Sequence, residues 1–331
     1  MNDIDFVILW VDGNDPAWRA EFTAARREAG CNADASEIRY RDWSNLQYWF
    51  RAVERFAPWV HRIHFVTWGH FPEWLDTSHP KLHIVRHEDF IPHDFLPTFN
   101  SNAIELNIGN IDGLSEQFVL FNDDMFLTRE CRPDDFFKEG VPCDMARLSV
   151  VQPSSIGHLI YNCLEIVNSS CDKRRAVRGN LGKWLNPKYG AGNLLKTLTL
   201  MPWSTFTGFW DSHQPQPHLA SDFRRAWELW GEQLDATCRH KFRDLTDVMH
   251  WLIRYVRLAE GRFVPRGMGD CRLMTLADNT IDDICRDVAT QRWRMVCLND
   301  GEDISDFDAL RNRLNGAFEE LLPQKSSYEK Q

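Results

Sequence analysis

Short apolar runs that end in turn residues pattern the first 130 positions. DFVILWV, from Asp5 to Val11, is a continuous apolar run broken by DGNDP and reads as a buried strand. Pro16 is a favoured first helical residue for AWRAEFTAARREAG, which Gly30 closes. SNLQYWFRAVERFAP (Ser44 to Pro58) has a capping serine, helical spacing and a terminating proline. HRIHFVTWG (His61 to Gly69), KLHIVRHEDF (Lys81 to Phe90) and EQFVLFNDD read as further strands, and SNAIELNIGNI (Ser101 to Ile111) as a capped helix. Strand, loop and helix in this order predict an α/β fold. The expected form is a Rossmann-like, nucleotide-sugar-transferase-like sheet flanked by helices, with ligands at the strand C-terminal ends.

After Cys131 helical stretches dominate: GHLIYNCLEIVN, RRAVRGNLGKWL, GNLLKTLTL and the long region from Ser221 to Leu258. KRRAVRGNLGKW, Lys173 to Trp184, is the most basic segment. A solvated helix face is its ordinary reading, with contact to an acceptor phosphate or to anionic lipid as the alternative. WRMVCLNDG (Trp293 to Gly301) is a late strand that ends, like the fourth, in Asn-Asp. The pattern predicts an α/β core from 1–130 and 290–331, with a largely helical insertion, 131–289, packed on it.

Composition narrows the function. The 331 residues are 43% hydrophobic with net charge −10, enough for a large core and the wrong sign for a nucleic-acid binder. The N-terminus has no basic region before its apolar stretch and no segment is long enough to span a bilayer, so a cytoplasmic protein is expected. Nine cysteines without a CxxC pair read as reduced, mostly buried thiols.

Candidate chemistry gathers in five places. In LFNDDMFLTR, Asn122, Asp123 and Asp124 follow an apolar strand. They either cap a turn or hold a hard cation such as Mg²⁺ or Mn²⁺ at a strand end. In WVDGNDPAW, Asp12 and Asp15 are either caps or, with Gly13, a place where a nucleotide approaches the backbone. RYRDW offers Arg39 and Arg41 as forked phosphate ligands or as surface side chains stacked on aromatics. HQPQPH sets His213 and His218 around two prolines that restrict the loop, which suits proton transfer. CRHKFRDLTDVMHW is a positive cluster in an acidic chain, with Arg243 placed to neutralise a transferring phosphate or to pair with nearby aspartates.

Together these blocks resemble the Stealth family: bacterial capsular-polysaccharide sugar-1-phosphate transferases, related to the α/β subunit of the animal N-acetylglucosamine-1-phosphotransferase. The resemblance runs through DFVILWVDGNDP; through RYRDW, APWVHRIHFVTWG, LPTFNSNAIE and GLSEQFVLFNDDMFL; through HQPQPH to KFRDLTDVMHW; and through VCLNDG with LLPQKSSYE. The resemblance implies transfer of a hexose-1-phosphate from a UDP-sugar to a hydroxyl of a growing capsular or exopolysaccharide acceptor, with release of UMP. Asp124, His213 and Arg243 are then the residues expected to be indispensable, with Asp123 beside them. Asn122, Asp123, Asp124 and Asp300 are the expected ligands of Mg²⁺ or Mn²⁺. Asp12, Gly13 and Asp15 are expected near the uridine or ribose. Asn100, Ser101 and Asn102 are expected to bond sugar or phosphate, or else to cap a helix. A cytoplasmic enzyme, peripheral at the inner face of the membrane with a capsule assembly complex, would fit. The competing readings are a metal-dependent glycosyltransferase that releases UDP and a non-catalytic glycan-binding protein.

Overall fold

A computed structural model describes residues 3–28, 30 and 42–330. Arg39 and Arg41 lie outside the described residues. The first apolar run forms β1 (Ile4–Leu9), and the next three predicted strands form β2 (Ile63–Thr67), β3 (Leu82–Arg86) and β4 (Gln117–Phe121). Three short strands follow: β5 (Met125–Leu127), β6 (Phe137–Lys138) and β7 (Val141–Asp144). The last four are β8 (Gln216–Leu219), β9 (Val264–Pro265), β10 (Cys271–Leu276) and β11 (Met295–Asp300).

The main sheet has the order β3-β2-β1-β4-β8. Its first four strands are parallel and β8 is antiparallel to β4. Apolar residues cover both faces, which is why β1 reads as a continuous apolar run. Ile4, Phe6 and Ile8 belong to one core, and Val7 belongs to the other.

The late strand β11 does not join this sheet. It pairs in parallel with β10 and antiparallel with β5. The short turn Asn122–Asp124 lets the chain leave the main sheet at β4 and enter the second one at β5. The helix Ile281–Ala289 and the helix Phe307–Leu321 place Ile284, Val288, Leu314 and Phe318 in the same core as β11.

The span 131–289 is therefore not all helix. It supplies the edge strand β8 to the main sheet and β10 to the second. The long helical region is interrupted twice: Ala220–Arg239 is kinked at Trp230, where φ is −133° and ψ 31°, and the loop that carries Arg243 separates it from Trp251–Ala259. Among the described residues no helix is long and apolar enough to cross a membrane.

Two buried histidines tie stability to pH. Burial, aided by the charge of His70, lowers the pKa of His87 to about 4. Burial also holds His218 well below the free value, with Arg257, His250 and Arg254 adding positive surroundings. The unfolded chain binds these protons near pH 6.5. The stability contributed is thus fully present above that pH and is lost as pH falls, for His87 down to about 4. Each such histidine costs about 1.4 kcal/mol per pH unit in that window. The thermal midpoint is expected to fall from pH 7 to pH 5, and His87→Phe to flatten the fall. A midpoint independent of pH across this range would refute it.

Candidate active site

The turn Asn122–Asp124 leaves the C-terminal end of β4 beside the C-terminal end of β1, since Ile8 pairs with Phe121. The Leu298 N–H donates to the Asp124 carbonyl at 2.8 Å, fixing the turn to β11. The Asp123 side chain has solvent-exposed surface but is closely surrounded by protein. That confinement, with the charge of Asp124, pushes its pKa up to about 7.

Asp124 is the meeting point. Its Oδ2 lies 3.8 Å from His213 Nε2 and accepts from the Cys297 thiol at 3.1 Å. Its Oδ1 is buried and has no hydrogen-bond partner among the described residues. Ligand atoms of Asp124, His213 and Cys297 all lie within 4.8 Å of one another. Of the expected metal ligands Asn122, Asp123, Asp124 and Asp300, only Asp124 belongs to this group. Asn122 is half-buried, with its carbonyl accepting from the Met125 N–H, and Asp300 stands at the end of β11. Burial first, and then the Asp124 charge, push the Cys297 thiol far above its usual range. It is a neutral donor to Asp124, and nothing about it suits a thiolate.

The two histidines of HQPQPH part ways. His213 is half-exposed and has a positive φ of 48°, a conformation that costs energy for a residue other than glycine. Its N–H donates to Asp211 Oδ1 at 2.6 Å. Asp211 Oδ2 accepts from Arg254 Nη1 at 3.1 Å, and Arg254 is bidentate to Asp144 at 2.8 and 2.9 Å. A buried ion network thus holds the loop that aims His213. His218, expected at the substrate, lies fully buried in β8 opposite Phe118. Residues 216–219 form an edge strand, where Pro217 is tolerated because edge positions need not donate. Alternation along that strand turns His218 into the core.

Asn100 and Asn102 are committed to the fold. Asn100 Oδ1 accepts from the Asn102 N–H at 3.1 Å, capping the helix Ser101–Leu106. Both amides donate to the buried Asp247, at 2.7 and 3.2 Å. His240 Nδ1 meets the other oxygen of Asp247 at 2.7 Å. Both asparagines are buried; Asn100 is the helix cap, while the Asn102 side chain serves Asp247. Ser101, half-buried between them, turns its hydroxyl to Arg243 and accepts from Nη2 at 2.6 Å.

Asp15 caps the helix Pro16–Glu28, accepting from the Trp18 N–H at 2.8 Å. Asp12 donates its N–H to His70 Nε2 at 2.7 Å and accepts from the Asn14 N–H at 2.8 Å. Gly13 is buried, and its carbonyl accepts from Arg19 at 2.7 Å. An aromatic cluster joins this turn to the Arg243 loop. Phe22 packs edge-on against Phe99 and Phe242, at 5.2 and 5.4 Å between ring centres, and the last two stack at 5.5 Å. Phe99 stands two residues before Ser101 and Phe242 one before Arg243, so three separate motifs share one support.

Asp211, Arg254 and Cys297 were not among the expected residues. Faint signals existed: an arginine inside the apolar run WLIRYVRL implies a buried partner, and Asp211 stands two residues before His213.

Comparison with known proteins matches two family descriptions: Stealth protein CR1, conserved region 1, over residues 2–30, and Stealth protein CR2, conserved region 2, over residues 39–144. Similar proteins align along the whole chain. A capsular polysaccharide phosphotransferase WcwK of Streptococcus pneumoniae is 41% identical, covering 100% of this chain and 99% of its own length. The exopolysaccharide phosphotransferase cps2G of Lactiplantibacillus plantarum is 39% identical over 99% of this chain and 96% of its own. The receptor polysaccharide phosphotransferase WefC of Streptococcus oralis is 38% identical over 99% and 100%.

Proposed function

The chain belongs to the Stealth family, and from that we propose that it is a capsular polysaccharide phosphotransferase that moves a hexose-1-phosphate from a UDP-sugar to a hydroxyl of an acceptor glycan, releasing UMP. The observation that carries the site assignment is the approach of His213 Nε2 to Asp124 Oδ2 at 3.8 Å, at the mouth of the main sheet. The order β3-β2-β1-β4 reverses between β1 and β4, and α/β folds of Rossmann type bind nucleotides in the crevice at such a point.

In this reading the acceptor hydroxyl attacks the phosphorus that bears the sugar. The new O–P bond forms as the bond from that phosphorus to the oxygen shared with UMP breaks. His213 accepts the hydroxyl proton, and the Asp124 carboxylate steadies the imidazolium that results. Arg243, oriented by the Ser101 hydroxyl, holds the oxygens of the transferring phosphate. Asp12 and Asp15 stand beside this crevice, on the side where the nucleotide would lie.

The carboxylates fit a hard divalent cation, Mg²⁺ or Mn²⁺. Asp124 presents a buried oxygen with no hydrogen-bond partner among the described residues, and the Asp123–Asp124 repulsion is the kind a cation relieves. Asp123 and Asp124 would hold it, and when bound it supplies charge neutralisation for the diphosphate. Cys297 would orient Asp124 from behind.

Incubation with a panel of UDP-sugars and capsular oligosaccharides tests the reaction. UMP and a phosphodiester signal in the phosphorus NMR of the glycan are expected, with loss of both on chelation and recovery on adding Mg²⁺. Release of UDP with a phosphorus-free product would make the enzyme a glycosyltransferase instead.

A further inference from the structure

From Lys173 to Trp210 the chain carries seven Lys or Arg and no Asp or Glu. The segment is thus +7 in a chain of −10, leaving −17 over the rest. Arg174, Arg175 and Arg178 are exposed on one short helix, Lys173–Gly179, at spacings that put them on adjoining turns. The next long helix, Ala191–Leu200, exposes Leu195 and Leu198, 63% and 47% accessible, three positions apart on one face, with Lys196 exposed beside them. Trp203, just beyond its end, is 60% accessible.

Lys173 joins the two helices. Its side chain is buried, and its ammonium donates to the carbonyls of Leu200 and Trp203 at 2.7 and 3.0 Å. That bond sets Trp203 next to the start of the arginine-bearing helix. Isolated exposed leucines need no explanation, but two leucines and a tryptophan beside a basic cluster in an acidic protein form a compound surface.

We propose that this face docks on an anionic lipid bilayer. Arginines and lysines attract the headgroups, while Leu195, Leu198 and Trp203 enter the boundary with the acyl chains, the depth at which tryptophan is favoured. A soluble polyanion would use the cations and leave the leucines unexplained. The phosphotransfer reading is not needed for this docking, and either can fail alone.

The test is cosedimentation of the full chain with vesicles of phosphatidylcholine, with and without phosphatidylglycerol. Binding is expected only with the anionic lipid and is expected to weaken as salt rises. The triple variant Arg174→Glu, Arg175→Glu, Arg178→Glu is expected to reduce partitioning by at least about tenfold. Leu195→Ser with Trp203→Ser is expected to reduce it severalfold while keeping the salt dependence. Both variants should keep the wild-type thermal midpoint and any turnover on soluble acceptor. Failure of the wild type to sediment would overturn the proposal. So would partitioning unchanged in both variants, or equal binding to dextran sulfate that ignores the Leu195 and Trp203 changes.

Discussion

His213→Ala is expected to lower turnover by about 10²- to 10⁴-fold, the contribution of a positioned general base. The thermal midpoint should move little, because the imidazole is half-exposed and its backbone carries the anchoring bond to Asp211. His218 is the control. It is fully buried, and neither ring nitrogen has a hydrogen-bond partner among the described residues. A buried polar group in that state costs stability, so His218→Leu should keep turnover and hold or raise the midpoint. Steady-state kinetics and calorimetry on the two variants read both effects. Turnover kept in His213→Ala and lost in His218→Leu would move the base to the wrong end of HQPQPH.

Asp124→Asn should cost about 10²- to 10³-fold in turnover, the scale for removing one group that stabilises charge at the reacting centre. The change keeps the shape and removes the charge that faces His213 and accepts from Cys297. It also removes the repulsion that helps hold Asp123 up near 7, so the Asp123 pKa should fall. A carboxyl-carbon NMR titration of Asp123 reads that fall independently of activity, and Mn²⁺ binding followed by electron paramagnetic resonance should weaken in parallel. An unchanged Asp123 titration with full turnover would separate the two carboxylates and dissolve the site as described.

Strands β1 to β4 were legible because each is an apolar run bounded by turn residues, and burial on both faces of a parallel sheet demands such runs. β8 was not, since Gln216 and Pro217 argue against a strand and only the edge position permits them. β10 was missed because Arg272, Leu273 and Thr275 are exposed, so the segment shows neither a continuous apolar run nor a clean alternation. At the site, the Asp pair and His213 stood out by residue type and by place at a strand end. The fates of Asn100 and Asn102 did not, because the partner that claims them, Asp247, lies 147 and 145 positions away along the chain. Long-range pairing of that kind leaves no local trace. The same holds for Cys297, whose role follows from β11 turning toward β5 and away from the main sheet.

The helix that follows the Asp12 turn and the segments that lead to Ser101 and Arg243 share one bearing at Phe22, Phe99 and Phe242. Shaving any one ring would slacken the Asp12 turn, Ser101 and Arg243 together, so damage to these loops would not add up site by site. The rim therefore has a collective tolerance. A lineage adapting to a new glycan could exchange the side chains at the loop tips one at a time. It could not re-aim one tip by shifting its loop without dragging the other two.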